Sequence, residues 1–160
     1  MSTTYLGLGS NIDARKNISS GIATLRETFG DVELSPIYQT AAFGFEGNDF
    51  INLVACVETE MSPLELKMFL NDLENRHERN RHAPKFSDRT LDIDILLYDD
   101  LYLLSPELNI PRGEILSAAH VLKPLADLAP DLLHPACRKT IKELWSEFPD
   151  RDISLVAIEL

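Results

Sequence analysis

Apolar and polar positions alternate along residues 50–58. Phe50, Asn52, Val54 and Cys56 share one face of an extended chain, and Ile51, Leu53, Ala55 and Val57 share the other. The same period of two runs through residues 91–98, where Leu91, Ile93, Ile95 and Leu97 oppose Asp92 and Asp94. Both stretches predict strands, as do residues 3–8 and 32–38. A helical period appears twice. Ile18, Ile22, Leu25 and Phe29 line one side of a helix over 13–29, with Asp13 as its N-cap. Leu66, Phe69, Leu70 and Leu73 line a second helix, opened by Ser62-Pro63-Leu64-Glu65 (cap, first-turn proline and capping-box glutamate) and fraying near Arg79.

Gly9-Ser10-Asn11 reads as a turn, and Gly44 and Gly47 mark a loop over 39–49. Gly7 and Gly9 suggest G-x-G, but Ile12 stands where a third glycine is needed, so no dinucleotide motif is predicted. Beyond residue 98 the pattern predicts an edge strand over 101–104 and a helix over 115–128 that Pro124 kinks or splits. A short helix over 140–148, with Trp145 against the core, and a C-terminal strand or extended tail over 153–158 follow. The order strand–helix–strand–strand–helix–strand predicts an α+β fold: a ferredoxin-like antiparallel sheet with helices packed on one face, the other face open, and C-terminal additions. In that order the first and third strands are central and the fourth lies at an edge beside the first.

The chain has 160 residues, which fits one domain, 1–160. No apolar run is long enough to span a membrane, and the N-terminus has no secretion-signal pattern. Cys56 and Cys137 lack metal or redox spacing; Cys56 reads as a small core residue. These features point to the cytoplasm and away from a membrane partner. A net charge of -11 argues against a surface devoted to nucleic acid. One segment opposes that balance. From Arg76 to Arg89, five basic residues (Arg76, Arg79, Arg81, Lys85, Arg89) face two acidic ones (Glu78, Asp88). It reads either as a solvated loop or, given its place before the aspartates, as an anion-binding flap.

Asp92 and Asp94 carry the chemistry. Two carboxylates beside a core are unfavourable unless a cation neutralises them. Mg²⁺ takes carboxylate oxygen and shares its remaining positions with water and phosphate. The plainer alternative leaves both side chains in solvent on an edge strand, although aspartate is a poor strand former. Asn52 is the second clue, because an amide within an apolar strand is costly unless hydrogen-bonded. It matches the amide edge of a purine- or pterin-like ring, or else bonds a neighbouring loop. Phe50, on the same face, can stack on a flat ring or simply pack. His77 and His82 lack zinc spacing, and His134 has no evident role. No Ser/His/Asp or Cys/His arrangement suggests covalent catalysis.

Together these residues resemble the 6-hydroxymethyl-7,8-dihydropterin pyrophosphokinase family of folate synthesis. The resemblance runs through Leu8-Gly9-Ser10-Asn11, Tyr38-Gln39-Thr40, Phe50-Ile51-Asn52, Glu74, Arg79-Asn80-Arg81, Arg89-Thr90-Leu91-Asp92-Ile93-Asp94-Ile95, Ile110-Pro111, Lys123-Pro124-Leu125 and Leu128-Ala129-Pro130. The arginine–aspartate segment is the specific part. The resemblance implies that the pterin hydroxymethyl oxygen attacks the β-phosphorus of ATP and AMP leaves. It implies two Mg²⁺ ions on Asp92 and Asp94, with Arg81 and Arg89 as further catalytic residues. Thr40, Phe43, Phe50 and Asn52 are expected at the pterin. Asn71, Glu74, Arg79, Arg81, Arg89 and Ile95 are expected at the nucleotide. A monomer is expected, with association with other folate-pathway enzymes left open.

The chain departs from the family pattern at Ala41 and Ala42, where prolines are usual, at Phe86 for tryptophan, and at Ser87-Asp88 for glycine–proline. After Pro111 a family histidine, a tyrosine or similar residue, an arginine and a phenylalanine are replaced by Arg112, Gly113, Ala118 and His120. His120 is expected to stack on the pterin with a smaller ring, and Arg112 to restore positive charge at the nucleotide. Each lost charged hydrogen bond costs on the order of 1.5–3 kcal/mol. Two such losses slow the reaction about a hundred-fold or more. The alternative reading is therefore a diverged homologue that binds a pterin, or acts on a related one, with weak or no ATP turnover.

Overall fold

The computed structural model describes residues 1–40, 48–77, 90–149 and 155–160. Alternation at the third predicted strand is realised as β4 (Phe50–Thr59), which lies at the centre of the sheet between β1 (Ser2–Ser10) and the pair β2 (Val32–Leu34) and β3 (Ile37–Thr40). On the far side of β1 lies β5 (Asp92–Tyr98), and β8 (Val156–Ile158) closes the opposite edge on β3. All of these pairings are antiparallel. The first and third predicted strands are thus central and the fourth is beside the first, in the ferredoxin-like order.

On one face pack α1 (Ala14–Phe29) and α2 (Pro63–Arg76). Their apolar stripes, with Ile51, Leu53, Ala55, Val57, Leu91, Ile93 and Ile95, form one core. Burying each such side chain contributes roughly 1.5–3 kcal/mol. The predicted capping box opens α2: Glu65 donates its backbone N–H to Ser62 Oγ at 3.2 Å, and Ser62 N–H donates to Glu65 Oε1 at 3.0 Å.

The other face is not left open. Its far half is covered by α3 (Glu114–Ser117), α4 (Ala119–Leu128) and α5 (Ile141–Glu147), which build a second core with Val54, Leu96 and Leu97. Trp145 stacks on Phe148 at the margin of this core, 5.8 Å between ring centroids. Among the described residues, the end of the sheet carrying Gly9 and Asp92 contributes nothing to this second core.

Several predicted elements are redrawn. A bulge in the β1–β5 register shifts Leu97 to the aspartate side, so Leu97 joins the second core and not the first. The strand predicted over 32–38 breaks at Ser35-Pro36, since Pro36 has no N–H for the ladder. Ser35 fills the gap: its N–H donates to Val54 O at 2.8 Å and its Oγ accepts from Val54 N–H at 2.9 Å. Gly9 and Ser10 belong to β1, not to a turn. Asp13 occupies the N-cap of α1 in the left-handed region (φ 44°) without a side-chain cap bond. The strand at 101–104 does not join the main sheet; β6 (Leu103–Leu104) pairs with β7 (Asn109–Ile110) in a separate ribbon. The helix predicted over 115–128 divides at Ala118, whose backbone is extended, while Pro124 sits inside α4. Cys56 is half-buried rather than core. The expected fraying near Arg79 lies outside the described residues.

A polar strut joins α4 to the sheet. The Tyr38 hydroxyl donates to Asp127 Oδ2, and Lys123 Nζ reaches Asp127 Oδ1 at 2.8 Å. Tyr38 is buried. Tyr38→Phe strips a hydrogen bond from a carboxylate and is expected to cost about 1–3 kcal/mol. Urea unfolding checks this; an unchanged midpoint would show that the strut carries no stability.

Candidate active site

Strand register assembles the site. Across one row Asp92 stands opposite Gly9, Gly9 opposite Asn52, and Asn52 opposite Tyr38. In the next row Asp94 stands opposite Gly7, and Gly7 opposite Val54. Opposed residues share a face, so the aspartates and Asn52 point the same way with only glycine between them. The period of two fixes this. Ile93 and Ile95, one step out of phase, are buried among α1 and α2. The floor between the carboxylates and the amide is bare backbone. A Cβ added at Gly9 would lie 2.7 Å from Asn52 Oδ1.

Hydrogen bonds hold the rim. Buried Ser10 donates through Oγ to Thr90 O at 2.6 Å, and buried Asn11 donates through Nδ2 to Asn48 O at 3.1 Å. They tether the residues that lead into β5 and β4. Buried Glu74, on α2, accepts the Ile93 N–H through Oε2 at 2.9 Å, tying α2 to the aspartate strand.

Asp94 bears the largest electrostatic load. Burial, and then the charge of Asp92, push its pKa up to about 7; Arg112 and Lys67 pull the other way and Glu74 adds to the rise. Arg112 Nε lies 3.6 Å from Asp94 Oδ2 and 2.8 Å from Glu114 Oε2. Above the sheet, His120 stands in the first turn of α4. Burial lowers its pKa against the pull of Glu114 and Asp92, which favours the neutral ring.

Among the predicted residues, Asp92, Asp94, Asn52, Arg112 and His120 thus converge on one end of one sheet face. Phe50 stands opposite Thr40 where β4 meets β3, two residues from Asn52 on the same face. No bond from the Asn52 side chain to a neighbouring loop is found among the described residues, so the loop-bonded alternative gains no support. The alternative with both aspartates in solvent is corrected at Asp94, three quarters of whose side chain is covered; Asp92 is half-buried. Asn71 lies on α2, one turn before Glu74. Ile95 is 3% exposed and packed in the first core, so its side chain does not face a nucleotide. Phe43, Arg79, Arg81 and Arg89 lie outside the described residues.

Two residues at the site escaped sequence reading. Lys67 shares a helical face with Asn71 and Glu74 at i, i+4 and i+7, a spacing that marks it on inspection. Glu114 gave no such signal, because its partner Arg112 is reached only through the fold. A separate cleft of about 480 Å³ lies between α1 and α2, lined by Lys16, Asn17, Ser20, Arg76 and His77 among others, and carries no predicted site residue.

The donor set suits a hard cation. Two carboxylates share one face over a glycine floor. Mg²⁺ is held in this way, by one or two carboxylates with water and phosphate completing the shell.

Comparison with known proteins gives the family. The family described as 7,8-dihydro-6-hydroxymethylpterin-pyrophosphokinase (HPPK) matches residues 5–130. The Pseudomonas aeruginosa 2-amino-4-hydroxy-6-hydroxymethyldihydropteridine pyrophosphokinase is 38% identical over 150 residues, 91% of each chain. The Aquifex aeolicus protein of the same name is 34% identical over 149 residues, 92% of each. Among solved structures, wild-type Plasmodium falciparum HPPK-DHPS with pteroate superposes with a TM-score of 0.77 at 15% identity, over 99% of this chain and 48% of that one. The chain therefore spans about half of that solved chain, and the likeness carries the fold alone. The chain belongs to the 7,8-dihydro-6-hydroxymethylpterin pyrophosphokinase family, a family of transferases in folate biosynthesis.

Proposed function

We propose that this chain transfers pyrophosphate from ATP to the hydroxymethyl group of 6-hydroxymethyl-7,8-dihydropterin and releases AMP, working as one domain. The observation that carries the proposal is the pair Asp92 and Asp94 facing Asn52 across the glycine floor. Asp92 and Asp94 would hold Mg²⁺, two ions by family resemblance. Bound there, Mg²⁺ would neutralise the triphosphate and polarise its oxygens. The Asn52 amide presents a donor and an acceptor side by side to the pterin edge. Phe50 and His120 flank the ring, with Thr40 beside them. Lys67 and Arg112 supply positive charge to the phosphates; Arg79, Arg81 and Arg89, on family resemblance, add to it. Arg suits this task because its planar fork binds phosphate oxygens in pairs. Asn71 lies toward the nucleotide. The Glu74 oxygen bonded to Ile93 serves to position β5, and Ile95 contributes backbone only.

A second reading is favoured by one observation. Arg112 is engaged by Glu114, and Ala118 has no charge where the family has arginine. A diverged homologue that binds a pterin, or acts on a related one, with weak or no ATP turnover fits this. Use of ATP favours the cytoplasm. A lone chain acting as a monomer is proposed. Relatives such as the Lactococcus lactis "Bifunctional protein FolKE", 36% identical over 132 residues and 38% of whose length is matched, favour proximity to other folate enzymes.

Incubation with ATP, Mg²⁺ and the pterin should release AMP in step with pterin consumed. ADP as product would refute pyrophosphate transfer; tight pterin binding without nucleotide turnover would establish the second reading.

A further inference from the structure

We infer that Arg112 and Glu114 form a counter-ion device over the metal site: Arg112 neutralises Asp94 until a divalent cation arrives, and Glu114 then holds the arginine clear of the ion. The inference rests on Asp92 and Asp94 being metal ligands.

The backbone sets the stage. Arg112 N–H donates to Leu96 O at 3.0 Å, so its Cα is fixed beside β5 while its side chain crosses the face of the strand. One atom, Nε, serves two carboxylates unequally. At 2.8 Å from Glu114 Oε2 it makes a charge-assisted hydrogen bond; at 3.6 Å from Asp94 Oδ2 the attraction is Coulombic only. The side chains of Arg112, Glu114 and Asp94 are 34%, 40% and 25% exposed, so solvent reaches all three groups.

A divalent ion at Asp94 and the Arg112 guanidinium compete for the same charge. Without Glu114, Nε retains only Asp94, and the competition shifts toward the arginine. The other charged groups that act on Asp94 among the described residues, Lys67 and Glu74 on α2 and Asp92 on its own strand, are unchanged by this exchange. Glu114 is thus a positioning residue, acting through Arg112. The chain has placed a cation where the family usually has histidine, and has placed a carboxylate two residues on to restrain it.

Mn²⁺ titration followed by electron paramagnetic resonance, with full-length protein and no nucleotide, tests the device without relying on turnover. Arg112→Ala should bind Mn²⁺ more tightly, and Glu114→Gln more weakly, each on the order of fivefold as expected for part-exposed charge pairs. The decisive comparison is Glu114→Gln in the Arg112→Ala background, where its effect should vanish. An equal loss in both backgrounds would mean that Glu114 acts on the ion directly through space, and would overturn the inference while leaving the metal site intact. Undiminished Mn²⁺ binding by Asp94→Asn would overturn the metal assignment and the device together.

Discussion

Asp94→Asn will abolish AMP release and, in the same molecule, raise the melting temperature of the metal-free protein at neutral pH. The first effect follows from losing one of the two carboxylates proposed to hold Mg²⁺. Metal clamping of a polyphosphate contributes several kcal/mol to the transition state, so a rate loss of about a thousand-fold or more is expected. The second follows from linkage. Burial and the neighbouring Asp92 raise the Asp94 pKa from 3.8 to about 7 in the folded chain. The folded state therefore binds this proton more tightly than the unfolded state does. Stability from this group is fully present below about pH 4 and falls as pH rises toward 7, leaving a penalty above it. Asparagine removes that penalty. With the side chain a quarter exposed, solvent and Arg112 screen it, and a gain on the order of 1–3 kcal/mol, a few degrees in Tm, is expected. Calorimetry in chelator from pH 5 to pH 8 is the check. The gain should shrink as pH falls and Asp94 takes up its own proton. A variant that keeps near-native turnover, or is equally destabilised at both ends of the range, would remove Asp94 from the role assigned to it.

The same physics explains what could be read from the sequence. The aspartate pair was legible because side chains in a strand repeat every two residues, and Ile93 and Ile95 pinned the phase. The start of α2 was legible because Ser62 and Glu65 satisfy each other's backbone groups locally. Leu97 was misplaced because a bulge is a property of pairing between strands, invisible in either strand alone. The cover over the second sheet face was missed because α3 to α5 follow the ferredoxin-like unit in sequence and fold back onto it. Asp13 has the composition of a cap, but its left-handed backbone turns it away from that task. Glu114 and Arg112 meet Asp94 only because a backbone bond from Arg112 to Leu96 brings the chain back beside β5. Local periodicity thus locates groups on one element, whereas long-range closure decides which groups meet.

Gly9→Ala is the corresponding prediction for the pterin side. Gly9 lies between Asp92 and Asn52 in one cross-strand row. Its glycine is not required by backbone conformation, because Gly9 belongs to the strand β1, which any residue can adopt. It is required by space. An added Cβ would come 2.7 Å from Asn52 Oδ1, nearer than carbon and oxygen can approach, so the amide must turn or the strands must part. Turning the amide is the lower-energy response, since among the described residues no hydrogen bond restrains it. The fold should survive with a loss on the order of 1 kcal/mol, within the range of a strained packing contact. Pterin binding should weaken strongly, because a ring edge that meets a displaced amide leaves buried polar groups unpaired on both sides. Losing two such hydrogen bonds weakens binding by roughly a hundred-fold. ATP affinity, measured with a non-hydrolysable analogue, should be nearly unchanged, since among the described residues the groups proposed to face the phosphates lie on β5, on α2 and just before α3. Calorimetric titration of the pterin and the analogue separates the two. Equal weakening of both ligands would show that the substitution disrupts the sheet as a whole, and wild-type pterin affinity would show that Asn52 does not read the ring.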